Sequence, residues 1–187
     1  MEIGYQRESA PAQFAQTATI VLQTSRLILR QQTLDDAEFI FTLVNDPSWL
    51  RFIGDRGVHS VEDARNYIRK GAMDSYSRHR FGLYLTALKD SGVPVGICGL
   101  VKRETLADVD IGFAFLPQYA GMGYAYESAC AVMAHARNDI GLKRVIAITN
   151  PDNAASIRLL QKLGLAFERK IRMAADKDEI NLFACSI

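Results

Sequence analysis

The stretch that decides the fold is residues 108–125, which read Asp-Val-Asp-Ile-Gly-Phe-Ala-Phe-Leu-Pro-Gln-Tyr-Ala-Gly-Met-Gly-Tyr-Ala. Hydrophobic side chains take every second position of its first half: Val109, Ile111, Phe113 and Phe115. This alternation predicts a β-strand, and Pro117 ends it because proline has no backbone N–H to donate to a sheet. Gly121 and Gly123 then predict a turn, and a helical pattern begins directly after it. The stretch therefore predicts a strand, a glycine turn and a helix start in that order.

Such an arrangement is typical of an anion-binding site. The N–H groups of the first helical turn lack partners within the helix, and the helix dipole places partial positive charge at the same end. Strand–turn–helix units of this kind most often bind phosphate. We therefore expect a phosphate-bearing cofactor at this turn.

The composition argues against several classes of protein. The chain has 187 residues, enough for one domain with a sizeable core. Its 22 basic and 21 acidic residues give a net charge of +1, so we expect no nucleic-acid partner. No apolar run approaches the roughly 20 residues that span a bilayer, so we expect no membrane association either.

The N-terminal segment differs from the rest of the chain. Met1–Ala18 is polar and rich in alanine, and we expect a loosely ordered leader over residues 1–21 and one domain over residues 22–187. The leader has neither the cationic start nor the apolar stretch of a secretory signal. The three cysteines are widely spaced: Cys98, Cys130 and Cys185. Their spacing fits no metal site, so we expect no metal, reduced thiols and a cytoplasmic location.

The remaining pattern predicts seven strands and four helices in the order βααβββαβαββ. Besides the strand described above, strands are expected at 27–30, 81–88, 94–101, 144–149, 167–173 and 180–187. Helices are expected after Thr33 and Ser60, which each precede an aspartate by three residues, and after Gly123 and Asn153. A βαβ crossover makes the fourth and fifth strands parallel, while hairpins make other neighbours antiparallel. We therefore predict an α/β fold: a mixed, mostly antiparallel sheet flanked by about four helices.

Two common phosphate-binding motifs do not fit the glycine turn. A dinucleotide-binding turn, Gly-x-Gly-x-x-Gly/Ala, would place its third small residue at Tyr126. The strand after the following helix ends in Asn150-Pro151, without the acidic residue that holds a ribose. A Walker loop needs Gly-Lys-Ser/Thr, which the sequence lacks.

Four short motifs follow one another at characteristic spacing. They read Asp-Ile-Gly-Phe at 110–113, Ala-Gly-Met-Gly-Tyr-Ala-Tyr-Glu at 120–127, Asn-Ala-Ala-Ser at 153–156 and Leu-Gln-Lys-Leu-Gly-Leu at 160–165. In this order they resemble the GNAT superfamily of acyl-CoA-dependent N-acetyltransferases, and within it the subgroup of the ribosomal-protein N-terminal acetyltransferases. The resemblance runs from about Leu22 to the C-terminus. The signature Arg/Gln-x-x-Gly-x-Gly/Ala falls on residues 120–125, where Gly123 and Ala125 match and Ala120 departs.

The resemblance implies a GNAT-like domain that uses acetyl-CoA as co-substrate, without a metal. Its parallel strand pair would splay apart near Phe115. The pantetheine and thioester would lie along the backbone that is freed there, and the pyrophosphate would lie on the glycine turn. The residues implied to bind acetyl-CoA are Phe113, Phe115, Ala120, Gly121, Met122, Gly123, Tyr124, Ala125 and Asn153.

Two residues are candidates for proton transfer. Asp110 matches a glutamate of the subgroup; it is either the general base, directly or through a water, or a structural carboxylate of the strand. The tyrosine that many GNAT enzymes place seven residues after the asparagine is Leu160 here. Ser156 stands where the subgroup has a serine assigned as the acid that reprotonates the thiolate; alternatively it completes the helix cap begun by Asn153.

The segment Trp-Leu-Arg-Phe-Ile-Gly at 49–54 is expected to be a short aromatic loop between two helices. Loops on a rigid frame often carry specificity. Either this segment fills the core, or Trp49 and Phe52 form a wall of the acceptor pocket.

The resemblance thus implies transfer of an acetyl group from acetyl-CoA to a primary amine by direct attack. By resemblance, the leading acceptor is a protein or peptide N-terminal amine, and the alternatives are a small amine, an amino acid or an antibiotic. A non-catalytic acyl-CoA-binding module is a further alternative, because Ala120 and Leu160 depart from the family pattern. The oligomeric state, including a homodimer, is left open.

Overall fold

Eight strands form one sheet in the computed structural model, which describes residues 18–173 and 178–187. The strands are β1 (Ile20–Gln23), β2 (Leu27–Arg30), β3 (Leu83–Leu88), β4 (Pro94–Val101), β5 (Val109–Phe115), β6 (Arg144–Thr149), β7 (Ala166–Ile171) and β8 (Ile180–Ser186). Their order is β1-β2-β3-β4-β5-β6-β8-β7, and every neighbouring pair is antiparallel except β5 and β6. The predicted fold class is confirmed.

Six α-helices lie within the described residues. They are α1 (Ala37–Val44), α2 (Pro47–Phe52), α3 (Val61–Ile68), α4 (Asp74–His79), α5 (Tyr124–Asn138) and α6 (Ala154–Lys162). A π-helical turn, Arg69–Met73, joins α3 to α4. Across the described ranges, none of the helices has both the length and the hydropathy that a bilayer crossing requires.

Two of the helix-start signals act as the sequence predicts. Asp36 Oδ2 accepts a hydrogen bond from the N–H of Thr33 at 2.8 Å, before α1. Ser60 Oγ accepts one from the N–H of Asp63 at 3.1 Å, at the start of α3. Each pair satisfies backbone donors that the first turn of a helix leaves free.

The interpretation of residues 49–54 as a loop is wrong for residues 49–52, which are helical. Pro47 begins α2 as well as ending α1, because the first residue of a helix needs no N–H donor. Asp46 caps this helix by accepting a hydrogen bond from the N–H of Ser48 at 2.8 Å. Trp49 and Phe52 therefore lie on a helix.

The sequence pattern does not predict β1. Ile20–Gln23 lies across the expected boundary between leader and domain and pairs with β2, with an irregularity between Ile20 and Leu22. Residues 1–17, most of the expected leader, lie outside the described residues. The boundary after residue 21 therefore stays a prediction.

The helices pack on both faces of the sheet. On one face, Leu100 of β4, Val132 of α5 and Leu160 of α6 belong to one buried apolar cluster. On the other face, Ile97 of β4 joins Ile40 of α1 and other residues of α1 to α3 in a second cluster. Because successive side chains of a strand point to opposite faces, β4 contributes to both clusters.

The parallel pair of strands separates early. β5 and β6 are joined at two positions, Val109 with Val145 and Asp110 with Ile146. Beyond Asp110, β5 continues beside β4 as far as Phe115, whereas β6 pairs along its whole length with β8. The separation thus begins at Ile111, before the predicted point near Phe115, and leaves a wedge-shaped gap between the two strands.

Candidate active site

The turn between β5 and α5 has the geometry of an anion site. Gly121 and Gly123 have φ angles of +76° and +82°, in the left-handed region that glycine adopts without strain. Within residues 18–173 and 178–187, no protein acceptor bonds a backbone N–H between Gly121 and Tyr126. Residues 120–123 are exposed. Six consecutive N–H groups at the positive end of α5 are therefore available to an anion.

A side chain from the turn between β1 and β2 reaches this loop. The Arg26 guanidinium donates from Nη1 to the carbonyl of Met122 at 3.0 Å and from Nε to Glu127 Oε2 at 2.6 Å. Its centre lies 4.6 Å from the ring centroid of Tyr124. A Cβ added to Gly123 would lie 3.3 Å from Nη2. Arg26 thus contacts the loop and the first turn of α5 at once.

The carboxylate of Glu127 accepts hydrogen bonds from the turn between β1 and β2. It accepts from Thr24 Oγ1 at 2.6 Å, from Ser25 Oγ at 2.9 Å and from the N–H of Arg26 at 2.9 Å. Burial alone would raise the pKa of this carboxyl, but the hydrogen bonds outweigh burial and lower the pKa to about 2. Glu127 is therefore anionic at neutral pH and ties the β1–β2 turn to α5.

The free edge of β5 lines the gap beside β6. Phe113 and Phe115 are half-buried and pack against the cluster beneath α5. On the β4 side, Gly96 pairs with Phe115, and a Cβ on Gly96 would lie 2.4 Å from the carbonyl oxygen of Ala114. On the other side, alternate peptide groups between Ile111 and Phe115 point into the gap. This edge can hold an extended ligand through backbone hydrogen bonds.

Asp110 lies at the closed end of the gap. It is 1% exposed, and its Oδ2 accepts a hydrogen bond from Arg103 Nε at 2.7 Å. Its Oδ1 has no hydrogen-bond partner among the described residues. Burial raises the pKa of this carboxyl to about 6, against the opposing charge of Arg103. A carboxylate with a pKa near 6 is ionised at neutral pH and can take up a proton during a reaction.

Asn153 and Ser156 lie at the start of α6, which follows β6. Asn153 Oδ1 accepts from the N–H of Ser156 at 3.1 Å, so the predicted cap is present. The Ser156 side chain is half-buried, and its Oγ makes no hydrogen bond to a protein group in the described part of the chain. Leu160 is buried in the core and offers no proton donor. The acid role of Ser156 and the cofactor contact of Asn153 stay predictions.

The two aromatic residues predicted for the acceptor pocket differ in exposure. Trp49 is 5% exposed and packs in the cluster under α1 to α3, which favours the core-filling interpretation. Phe52 is half-buried, and the guanidinium of Arg51 lies 4.9 Å from its ring centroid. A role for either residue in acceptor binding stays a prediction.

A groove of about 550 Å³ opens beside α3. Its lining residues are Arg56, Gly57, Val58, Asp63, Asn66, Tyr67, Lys70 and Gly71. Burial raises the pKa of Tyr67 in this lining, against the opposing charges of Arg56 and Arg103. The groove contains no residue of the glycine turn, so it is separate from the loop that can bind an anion.

Arg26 and Arg103 are the site residues that the sequence analysis does not identify. Nothing in the sequence links Arg26 to Met122, because 96 positions separate them. For Arg103 there is a usable signal: β4 and β5 form a hairpin in which Val101 pairs with Asp110. That register alone brings a basic residue two positions further on close to the buried carboxylate.

The chain matches the family model described as the acetyltransferase (GNAT) domain over residues 26–166. It is 32% identical over 154 residues to the uncharacterized N-acetyltransferase YoaA of Bacillus subtilis strain 168, covering 81% of this chain and 86% of that protein.

Two solved structures share the fold. RimL, a ribosomal L7/L12 alpha-N-protein acetyltransferase in complex with coenzyme A, superposes with a TM-score of 0.77 at 20% identity, covering 90% of this chain and 98% of that one. An acetyl transferase from Salmonella typhimurium that modifies the N-terminal serine of ribosomal protein L7/L12 gives 0.74 at 19% identity, with coverages of 88% and 96%.

The family model covers most of the chain, and the relative with 32% identity is named as an N-acetyltransferase. The enzyme class predicted from the sequence, an acetyl-CoA-dependent N-acetyltransferase, is thereby confirmed. The chain belongs to the GNAT family of acetyltransferases.

Proposed function

We propose that this enzyme acetylates an α-amino group, with a protein or peptide N-terminus as the acceptor. The observation that carries the proposal is the gap beside β5, which opens toward a loop with six available N–H groups. In the proposal, the loop binds the pyrophosphate of acetyl-CoA through residues 120–125. The pantetheine arm enters the gap past Phe115 and Phe113, so that the thioester approaches the closed end at Asp110.

The chemistry needs a neutral amine and a stabilised oxyanion. The amine nitrogen attacks the thioester carbonyl, the carbon–sulfur bond breaks, the amine loses a proton and the CoA thiolate gains one. Backbone N–H groups of β5 beside Phe113 are suited to stabilise the oxyanion of the intermediate. An α-amine has a pKa of about 7.7–8.0 and needs only a mild base, whereas a lysine amine, with a pKa of about 10.4, needs a stronger one.

Asp110 accepts the amine proton through a water in this proposal. At 1% exposure its carboxylate is too buried for direct contact with a large acceptor. Oδ1 makes no hydrogen bond within the described residues, so it is the oxygen left to accept a relayed proton. Arg103 holds the other oxygen and keeps the group ionised at neutral pH.

Ser156 and Asn153 serve the leaving group. Ser156 Oγ protonates the thiolate, and the N-terminus of α6, where both residues lie, favours negative charge on the departing sulfur. The support for this assignment is its position: α6 begins after β6, the strand that forms the far side of the gap.

In the proposal, the acceptor approaches Asp110 from the side of Arg103. Arg103 links this buried carboxylate to the surface, since its Nε bonds Asp110 at 2.7 Å and its side chain is 31% exposed. The acceptor class is supported by RimL and by the Salmonella enzyme, both of which are described as acting on a protein N-terminus. A small amine, an amino acid or an antibiotic would use the same chemistry and is the alternative.

A thiol-release assay tests the proposal. Acetyl-CoA is incubated with the enzyme and with matched peptides that carry either a free or a blocked N-terminus, alongside amino acids, polyamines and aminoglycosides. We expect release of the CoA thiol with free N-terminal peptides and none with blocked ones. Turnover confined to small amines would overturn the acceptor assignment, and the mass of the product identifies the acetylated nitrogen.

A further inference from the structure

We propose that Arg26 positions the anion-binding loop and neutralises Glu127, in place of the side chain missing at Ala120. Ala120 occupies the Arg/Gln position of the family signature, and its methyl group has no charge and no hydrogen-bond donor. Arg26 brings a guanidinium to the same loop from the β1–β2 turn. The inference rests on the proposed use of this loop for the pyrophosphate.

Three separate contacts of Arg26 hold the loop against α5. Nη1 bonds the carbonyl of Met122, Nε bonds Glu127, and the planar guanidinium lies over the ring of Tyr124. The carbonyl of Met122 lies between the two glycines with positive φ, which are the most freely rotating positions of the loop. Fixing this carbonyl fixes the peptide planes whose N–H groups face the anion.

The charge of Arg26 also removes an obstacle to anion binding. Glu127 is in the first turn of α5 and carries a full negative charge at neutral pH, since its pKa is about 2. An unneutralised carboxylate one turn from the loop would repel pyrophosphate. Arg26 pairs with this carboxylate at 2.6 Å, and its side chain is still 48% exposed. The Arg26–Glu127 pair therefore leaves the helix terminus free to attract an anion.

Binding of CoA by calorimetry, with turnover of two acetyl donors, tests the inference. S-acetylpantetheine contains the thioester arm but lacks the pyrophosphate, so it does not need the loop. Arg26→Ala should weaken CoA binding by about tenfold and raise the KM for acetyl-CoA similarly, because a charge-assisted contact and a loop anchor are lost. The KM for S-acetylpantetheine and kcat should stay within about twofold of the wild-type values.

Two further variants separate the positioning role from the charge. Arg26→Lys keeps the charge but has no planar fork to reach Met122, Glu127 and Tyr124 together, so it should rescue binding only in part. Arg26→Ala combined with Glu127→Gln removes the repulsion and should recover part of the lost affinity. The matched control is Arg78→Ala, which removes an exposed arginine that pairs with Asp74 on α4 and should leave CoA binding unchanged.

The outcomes are distinct. A folded Arg26→Ala variant that binds CoA as tightly as the wild type would overturn the inference, as would equal KM increases for both donors. No recovery in the double variant would overturn the neutralising role. If Arg26→Ala does not fold, CoA binding and the KM values for both donors are compared between Arg26→Lys and the wild type, and unchanged values would overturn the inference. Weakened CoA binding in an enzyme that acetylates no amine would refute the proposed function and leave the role of Arg26 standing.

Discussion

The Asp110→Asn variant tests two statements about the buried carboxylate of Asp110. The first is that its charge lowers the stability of the folded protein, and the second is that catalysis uses it. Burial raises the pKa of Asp110 from an ordinary 3.8 to about 6 in the folded protein. Because the folded pKa lies above the unfolded one, the stability linked to this group is fully present below pH 3.8 and is lost as the pH rises through about 6. The pKa difference corresponds to about 3 kcal/mol when the loss is complete.

Asparagine has no charge, so the variant escapes this pH-dependent loss. Between pH 5 and pH 8, the unfolding free energy of the variant should rise relative to the wild type by about 1 kcal/mol. Other titrating groups are the same in both proteins and cancel in the difference. A buried amide without a partner would cost the same at every pH, so the slope is the decisive quantity. Urea unfolding at four pH values measures it.

The pH dependence of kcat/KM tests whether Asp110 takes part in catalysis. If Asp110 takes up the amine proton, kcat/KM of the wild type falls as the pH drops below about 6, and Asp110→Asn is slower by roughly 100-fold and lacks that limb. The matched control is Asp108→Asn, which removes a half-exposed carboxylate that pairs with Arg144 at 2.9 Å and should change little. A pH-independent stability difference, or an unimpaired Asp110→Asn enzyme, would refute the reasoning.

Three further predictions concern other positions of the site. Gly123→Ala places a side chain at φ +82° and 3.3 Å from Arg26, so it should cost about 1 kcal/mol of stability and raise the KM for acetyl-CoA; thermal unfolding and initial rates measure both. Ser156→Ala keeps the N–H that Asn153 caps, so it should lower kcat and leave the Kd of CoA unchanged; initial rates and calorimetry measure both, and an unchanged kcat would refute the acid role. Glu127→Gln should destabilise the protein at pH 7. Because the folded pKa is lowered, this difference should shrink as the pH falls from 4.5 toward 2, and denaturation at pH 7 and pH 3 compares the two; a constant difference would contradict it.

Local patterns predicted most of the fold. The alternation from Val109 to Phe115, the glycine turn and the cap at Asn153 all depend on residues close together in sequence, and each is present in the structure. The failures also have local causes. Pro47 is the first residue of α2, a position that suits proline, and α2 has only six residues, too few to show a helical period. β1 reads Ile-Val-Leu-Gln, three consecutive apolar residues without polar alternation, and it lies across the end of the expected leader.

The side-chain environment of the site could not be predicted in the same way. That Asp110 is buried with one free oxygen depends on how the helices cover the sheet, and a carboxylate at that position could equally have been solvated. The link from Arg26 to Met122 depends on β1 and β2 lying beside α5, a contact between distant parts of the chain. Sequence periodicity contains no information of this kind.

The narrow junction between β5 and β6 has a mechanical consequence. Only the pairs Val109–Val145 and Asp110–Ile146 hold the two halves of the sheet together edge to edge within the described residues. β5 is hydrogen-bonded to β4, and β6 is hydrogen-bonded to β8. A small rotation of one half of the sheet about the junction would therefore change the width of the wedge without breaking those hydrogen bonds. A ligand that contacts both strands of the wedge would add interactions across this junction and oppose such a rotation.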